Sequence, residues 1–188
     1  MPSSVSAVCR LGKHHDIEVE DDVTALLDYE GGASGVFTTS TGEAPGINRL
    51  EIAAEKGLLT YDSQDDHMRW LRNDKTVTRA IAENAGFEKP KFVTEVIPVP
   101  DEGGQHEEVL TNFADAILTG AELIAPAQEG LHSVELANAM LLSGARGKRI
   151  DLPMSERSYA NLLKRRIATS SFEATAGDAP VTDLTDSF

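Results

Sequence analysis

The sequence predicts an α+β fold, an open and mostly antiparallel sheet with helices packed on one of its faces. Apolar and polar residues alternate with a period of two over much of the first hundred residues, which is typical of half-buried strands. Beyond Gly103-Gly104 the apolar residues recur at helical spacing instead. Strands first and helices afterwards indicate one antiparallel sheet with helices over one face.

The strand predictions rest on alternation and on turn residues. From 17 to 29 apolar residues hold most odd positions, which predicts a long strand with one wet face, and Gly31-Gly32 turns it into a strand at 34–39. Further strands are predicted at 48–53, 58–62, 67–71 and 92–99, whereas 75–85 fits a short helix or an ordered loop. If the uncovered sheet face carries apolar groups such as Leu26, it is a candidate subunit interface.

Three helices are predicted in the second half of the chain. The first is amphipathic and ends at Gly120, the second covers 128–143 and ends at Gly144, and the third begins after Pro153 and Ser155. We expect one domain over residues 1–167. Residues 168–188 are small, polar and acidic, and we expect them to form a flexible tail.

Composition excludes several classes of function. The 188 residues carry 31 acidic and 17 basic side chains, a net charge of -14, so binding to a phosphate backbone is not expected. The single cysteine, Cys9, cannot form an internal disulfide. No apolar run approaches the roughly 18 residues that a membrane-spanning helix requires. We therefore expect no nucleic-acid partner, no membrane partner and a cytoplasmic location.

Several segments together resemble the C-terminal domain of the Gfo/Idh/MocA family of NAD(P)-dependent oxidoreductases. They comprise the acidic strand at 17–22, the Gly31-Gly32 hairpin, the strand and turn at 51–57, the helical segments 112–117 and 136–140, and Asp151-Leu152-Pro153. Each motif alone is weak, but their order and spacing over roughly residues 16 to 166 make the combination specific. The resemblance implies a fold like the C-terminal domain of glyceraldehyde-3-phosphate dehydrogenase.

The resemblance also implies a function. The parent enzyme would transfer hydride between NAD(P) and a sugar, polyol or cyclitol, and this chain would bind substrate and form a homo-oligomer through the open sheet face. The chain contains no G-x-G-x-x-G spacing and lacks the Asp-x-x-x-His pair on which the family's catalytic histidine lies. We expect no catalytic residue here and no cofactor bound by this chain alone.

Three residues are candidates for contact with substrate. His106 lies where the first long helix begins, a position at which relatives often carry a histidine; a plain surface histidine is the alternative. Asn48 and Arg49 begin the strand after the Pro45-Gly46 loop, in a region that lines the substrate pocket in relatives. The alternative for Arg49 is an ion pair with an acidic neighbour on the strand.

Two further motifs are interpreted as structural. Glu88-Lys89-Pro90 matches the family's catalytic-lysine tripeptide, but it follows a loop-like stretch, so Lys89 is expected to be a solvated lysine. His14-His15-Asp16 suggests a metal site, yet adjacent histidines on a strand point to opposite sides, and no metal is expected. The competing function is a self-associating binding or structural module without catalysis.

Overall fold

A computed structural model describes residues 1–83, 89–99 and 104–171. This part of the chain contains eight strands and four helices, and every strand pairing in it is antiparallel. The strands are β1 (Ser4–Leu11), β2 (Glu20–Asp28), β3 (Ser34–Ser40), β4 (Arg49–Ala54), β5 (Gly57–Asp62), β6 (His67–Asn73), β7 (Phe92–Pro98) and β8 (Ile150–Asp151). The helices are α1 (Val77–Glu83), α2 (Gln105–Thr119), α3 (Ala127–Arg146) and α4 (Glu156–Thr169). The predicted α+β class is confirmed.

The strands form two four-stranded sheets rather than one, and the chain divides into two compact units. Unit 1 contains residues 1–42 and the segment from 126 onward, and unit 2 contains residues 43–125. Each unit therefore holds one sheet. The expectation of a single functional domain over 1–167 stays a prediction.

Unit 1 is a sheet of order β3-β2-β1-β8 with helices over one face. Alternate residues of β1 and β2, such as Val5 and Ala25, point toward α3 and are almost completely buried. Leu142 of α3 and Leu162 of α4 complete this core. Burying side chains of this size contributes about 1.5–3 kcal/mol each, so the contact between sheet and helices is the main stabilising interaction of unit 1.

The long strand predicted at 17–29 begins only at Glu20, and it pairs with an N-terminal strand, β1, that the sequence analysis did not predict. The prediction was wrong at its start because Gly12, with φ of 55°, turns the chain out of β1. A bulge then makes Arg10 pair with Asp22 and Leu11 with Glu20, which leaves Asp21 as the extra residue. Residues 12–19 form the connecting loop.

Helix α3 does not end at Gly144, as the sequence suggested, but continues to Arg146 and ends at Gly147, whose φ is 60°. Gly144 serves a packing role instead. A Cβ atom added there would lie 2.7 Å from the Cys9 sulfur and 3.1 Å from the Cys9 backbone nitrogen. The missing side chain is what allows α3 to approach β1 so closely.

Unit 2 is a sheet of order β4-β5-β6-β7. Cross-strand pairing puts eight apolar side chains on one face, which we call the apolar face of unit 2: Leu50, Ile52, Leu59, Tyr61, Met68, Trp70, Val93 and Ile97. Arg72 and Glu95 form an ion pair on the same face, and the Arg72 guanidinium stacks on Trp70. Three of the eight, Leu50, Ile52 and Val93, are 55%, 48% and 55% exposed, and the other five are half-buried.

The segment 75–85, for which helix and loop were both open, contains a short helix at Val77–Glu83, and residues 84 and 85 lie outside the described part. The Glu55 carboxylate accepts the Thr78 backbone N–H at 3.0 Å, so it satisfies a donor at the start of α1. Hydrogen bonds from the Thr78 hydroxyl and backbone lower the pKa of Glu55. The turn before β5 thereby holds α1.

Helix α2 has the predicted end at Gly120, whose φ is 75°. Its apolar residues Leu110, Phe113 and Ile117 remain exposed. The Asn112 amide group fixes the segment that follows: its nitrogen donates to the Glu122 carbonyl at 2.8 Å, and its oxygen accepts the Ile124 N–H at 3.0 Å. Within the described residues, no helix is long and apolar enough to cross a membrane.

Helix α4 extends two residues into the segment predicted as a tail. Beyond it, Ser170 and Ser171 are bound to the Glu18 carboxylate, which accepts the Ser171 N–H at 2.8 Å and its hydroxyl at 2.7 Å. The remainder of the predicted tail, 172–188, lies outside the described residues.

Substitution G144A should lower the free energy of unfolding by about 1–3 kcal/mol, because the new methyl group collides with Cys9 and separates α3 from β1. Urea denaturation followed by circular dichroism measures the change. The control is G130A on the same helix, where an added Cβ meets no atom within 4 Å and a Gly to Ala change is expected to stabilise by about 0.5–1 kcal/mol. Equal effects of the two substitutions would contradict the close-packing role.

Candidate functional site

Asn48 and Arg49 lie where β4 begins, as the sequence suggested. Both are exposed, and the Asn48 carbonyl accepts the Ser63 N–H at 2.9 Å, which holds the entry to β4 beside the end of β5. The Arg49 guanidinium forms an ion pair with Glu51 two residues along the same strand. Arg49 therefore has the acidic strand neighbour that the alternative interpretation expected, and its role toward substrate stays a prediction.

His106 is the second residue of α2 and is exposed. A shallow cavity of about 320 Å³ lies on an adjacent side of the same helix, lined by Gly104, Glu107, Glu108, Thr111, Asn112 and Asp115. Carboxylate oxygens dominate this lining, so it offers acceptors for hydroxyl protons. His106 and the pair Asn48-Arg49 belong to the same unit, and the role of His106 stays a prediction.

Lys89, in the tripeptide that resembles a catalytic motif, is exposed, and Glu88 before it lies outside the described residues. An exposed ammonium group lacks the desolvation by which buried lysines acquire unusual reactivity. The expectation that Lys89 is a solvated lysine stays a prediction.

The most highly organised polar cluster lies at the end of β1, β2 and β3. Its centre is the buried carboxylate of Asp21, which accepts the backbone N–H groups of Lys13 at 2.9 Å, His14 at 2.7 Å and His15 at 3.0 Å. Burial alone would raise the pKa of Asp21, but these hydrogen bonds and the His15 imidazole hold it well below its usual range. The bulge residue thus fixes the loop in one conformation.

The histidines of that loop are held by neighbouring strands. The His14 ring nitrogen Nε2 lies 3.2 Å from the Ser40 hydroxyl, and the His15 Nδ1 lies 3.2 Å from the Thr41 hydroxyl and 3.3 Å from Asp21. A side chain at Gly42 would overlap the His14 ring, with contacts of 2.4 Å. Hydrogen-bond partners on the neighbouring strands therefore hold both imidazole rings in place.

Asp22 balances the basic residues beside this loop. Its carboxylate accepts from Lys13 and, at 3.2 Å, from Arg10, and the Lys13 hydrogen bond is the main reason that its pKa lies below the ordinary value. No group of three or more His, Cys, Asp or Glu side chains among the described residues could hold a metal ion. The cluster is best explained as a structural clamp on the loop.

A second opening lies at the edge of β1, and we call it the β1 notch. Strand β8 pairs with β1 only at Ser4 and Val5, after which the two segments diverge. The space between them is a cavity of about 550 Å³, lined by Ser6, Ala7, Val8, Thr24, Leu26, Ser143, Gly147, Lys148 and Arg149. All of these residues belong to unit 1.

Leu26, which the alternation predicts on the uncovered sheet face, lies on the face opposite α3 and is 56% exposed. The other residues of the notch were not predicted as neighbours, because β1 was not predicted. Two signals were present: the alternation of Val5, Ala7 and Cys9, and the run of basic residues at 146–149 in an acidic chain. Neither signal reveals by itself that the two segments meet.

The first 60 residues match a family model described as the GFO/IDH/MocA C-terminal domain. This confirms the family resemblance found in the sequence. No curated protein matches the chain in sequence.

Solved structures share the fold. The WlbA dehydrogenase from Bordetella pertussis, in complex with NADH and UDP-GlcNAcA, is 24% identical with a TM-score of 0.57 over 82% of this chain and 41% of its own. For an aldose-aldose oxidoreductase from Caulobacter crescentus in complex with glycerol, the identity is 21% and the TM-score 0.59 over 80% and 41%. A levoglucosan dehydrogenase in complex with NADH and levoglucosan gives 17% and 0.58 over 82% and 46%. The chain thus spans less than half the length of these enzymes.

Substitution D21N should destabilise unit 1 most at neutral pH, because an amide cannot accept three backbone N–H groups as a carboxylate does. The folded-state pKa of Asp21 is lowered, so its stabilising contribution is present above the unfolded pKa of about 3.9 and is lost as the pH falls through the lower folded value. Chemical denaturation of wild type and D21N at several pH values measures the difference, which should shrink below about pH 4.

The control for this prediction is D16N, in the same loop but exposed. It removes one carboxylate from the loop without touching the clamp. If D16N and D21N lost the same free energy of unfolding at neutral pH, the clamp would not be the origin of the effect.

Proposed function

We propose that this chain, whose first 60 residues match the model of the GFO/IDH/MocA C-terminal domain, is the substrate-binding and oligomerisation domain of an NAD(P)-dependent oxidoreductase. The substrate class is a sugar, polyol or cyclitol, and the setting is the cytoplasm. The observation that carries the proposal is the shared fold: over about four fifths of its length this chain superposes on part of enzymes crystallised with NADH or with small polyhydroxylated ligands.

In this proposal the dinucleotide is bound by another part of the parent protein. The chain corresponds to 41–46% of the length of the solved enzymes, which leaves room for a nucleotide-binding domain in the parent. The exposed residues Leu110, Phe113 and Ile117 of α2 support this arrangement, because an apolar stripe on a helix is normally covered. The chain alone binds no NAD(P) and contributes no catalytic residue.

Substrate contact is assigned to Asn48, Arg49 and His106. An amide, a guanidinium and an imidazole supply the directional donors and acceptors that a hydroxylated ligand needs. Arg49 keeps nitrogen atoms besides the one paired with Glu51, so its ion pair orients the guanidinium without using all of its donors. The acceptor-rich cavity beside His106 supports the same substrate class.

Self-association is assigned to the apolar face of unit 2. Eight apolar side chains share this face, and an exposed patch of this kind on a soluble protein commonly marks a protein interface. Since a second copy offers an identical patch, a two-fold dimer would cover both. The competing function, a self-associating module without catalysis, uses the same face, so it differs only in the absence of substrate and cofactor.

Titrating the ¹⁵N-labelled chain with myo-inositol and, separately, with NADH tests the proposal. Myo-inositol should shift the amide resonances of Asn48, Arg49 and His106, because hydroxyl groups bind to those side chains, and NADH should shift none. Substitution R49A should abolish the shifts. The control is R79A, which removes an exposed arginine from α1 in the same unit.

Two results would contradict this assignment. Specific NADH binding at micromolar concentration would mean that the chain holds a cofactor site of its own. A lack of polyol-induced shifts at millimolar concentration, with self-association retained, would favour the non-catalytic module.

Substitution V93K should shift the protein toward the monomer, because it puts a charge into the apolar face of unit 2 that a dimer would have to desolvate. Sedimentation velocity over a range of concentrations measures the distribution of species. The matched control is T94K, the next residue on β7, which is also exposed but points to the opposite face. A monomeric wild type, or equal effects of the two lysines, would refute the interface.

A further inference from the structure

The β1 notch is a built cavity rather than a chance gap. The Ser143 hydroxyl accepts the Ala7 backbone N–H at 2.9 Å and donates its own proton to the Lys148 carbonyl at 2.8 Å. The Ser143 side chain therefore satisfies a backbone N–H at the edge of β1. It also lies between β1 and the turn that leads into β8, so that the turn does not pair with β1. The left-handed Gly147 fixes the direction of that turn.

The notch has the size and the mixed lining of a small-molecule site. Its volume of about 550 Å³ falls within the range of roughly 300–1,000 Å³ that is usual for ligand pockets. Val8 and Leu26, 58% and 56% exposed, form an apolar floor. Ser6 and Thr24 add hydroxyl groups that make no hydrogen bond within the described residues.

The rim of the notch is basic. Lys148 has no ion-pair partner in the described part of the chain, whereas Arg149 uses its Nε to bind Asp151 at 3.1 Å and keeps its other nitrogens for further contacts. Of the nine residues that line the notch, two are basic and none is acidic, in a chain whose net charge is -14. Such a local reversal of sign attracts anions.

We propose that the β1 notch binds a small anionic sugar, with its carboxylate or phosphate at Lys148 and Arg149 and its ring on the Val8 and Leu26 floor. The Ser6 and Thr24 hydroxyls pair with ring hydroxyls, which a purely apolar anion could not exploit. This ligand class and this site go beyond the proposed function, since they involve neither Asn48, Arg49 nor His106.

Isothermal titration of the full chain with glucuronate, glucose 6-phosphate and glucose tests the inference. The two anions should bind and glucose should bind at least about tenfold more weakly, because it lacks the group that Lys148 recognises. The stronger of the two anions identifies carboxylate or phosphate as the preferred group. Affinity should fall when salt is raised from about 0.05 to about 0.5 M, since the rim charges are exposed.

Substitution K148Q should weaken the binding of the preferred anion about fivefold or more, and S6A with T24A should weaken it further. The matched control is K164Q, which removes an exposed lysine of α4 that does not line the notch. The proposal is overturned if neither anion binds at concentrations up to about 10 mM. It is also overturned if glucose binds as tightly as the anions, or if K148Q and K164Q lose the same affinity for the anion.

The same labelled protein separates this inference from the proposed function. Anion-induced shifts belong at Ser6, Thr24, Lys148 and Arg149, whereas polyol-induced shifts belong at Asn48, Arg49 and His106. If the anion-induced shifts are absent, the polyol-induced shifts can still be present, and the proposed function then stands without the anion site. If only the polyol-induced shifts are absent, the anion site stands without the proposed function.

Discussion

The hydroxyl of Ser143 lies at the point where strand, helix and turn of unit 1 meet. It is almost fully buried, accepts the Ala7 N–H of β1 and donates to the Lys148 carbonyl. A buried polar group without a partner costs about 1–3 kcal/mol, so these two bonds fix where α3 can lie against the sheet. That position requires glycine at 144, sets the turn at Gly147, and limits the pairing of β8 with β1 to two residues. The core, the sheet edge and the β1 notch all depend on this arrangement.

Sequence patterns predicted the elements whose geometry is local. The strands β3 to β7 and the helices α2 and α4 follow from alternation, helical spacing and turn residues, and the structure contains them within a few residues of the predicted bounds. The patterns were insufficient where a distant contact decides the outcome. Gly144 looks like a helix stop, because the reason for glycine there is Cys9, 135 positions away in the chain. The start of β2 was misplaced because Gly12 turns the chain out of β1 and the buried Asp21 carboxylate then holds the following residues in a loop, although residues 17–19 alternate like a strand.

The candidate site was predictable to a smaller extent. Arg49 was recognised as a residue with two possible partners, and the ion pair with Glu51 is one that spacing on a strand permits. The β1 notch was not predictable, since residues of β1 and β2 meet a segment more than a hundred positions further along the chain, and no spacing indicates the hydrogen bonds of Ser143. Basic residues at 146–149 were visible in the sequence, but a run of charges without a cavity normally marks a solvated surface.

The two units offer surfaces suited to different partners, and the chemistry of each explains the division. The apolar face of unit 2 carries eight apolar side chains around one internal ion pair, so covering it with another protein surface desolvates little charge. The notch of unit 1 combines an apolar floor with the Lys148 ammonium group, which has no ion-pair partner among the described residues. A protein surface could cover that group only by supplying a matching anion in the same place. A small anionic sugar meets that requirement with a single molecule and leaves the ammonium group partly hydrated. The chain has a net charge of -14, which disfavours nucleic acids, so the basic pair Lys148 and Arg149 differs in sign from the chain as a whole. Because the notch and the apolar face use different residues, ligand binding and self-association need not exclude one another.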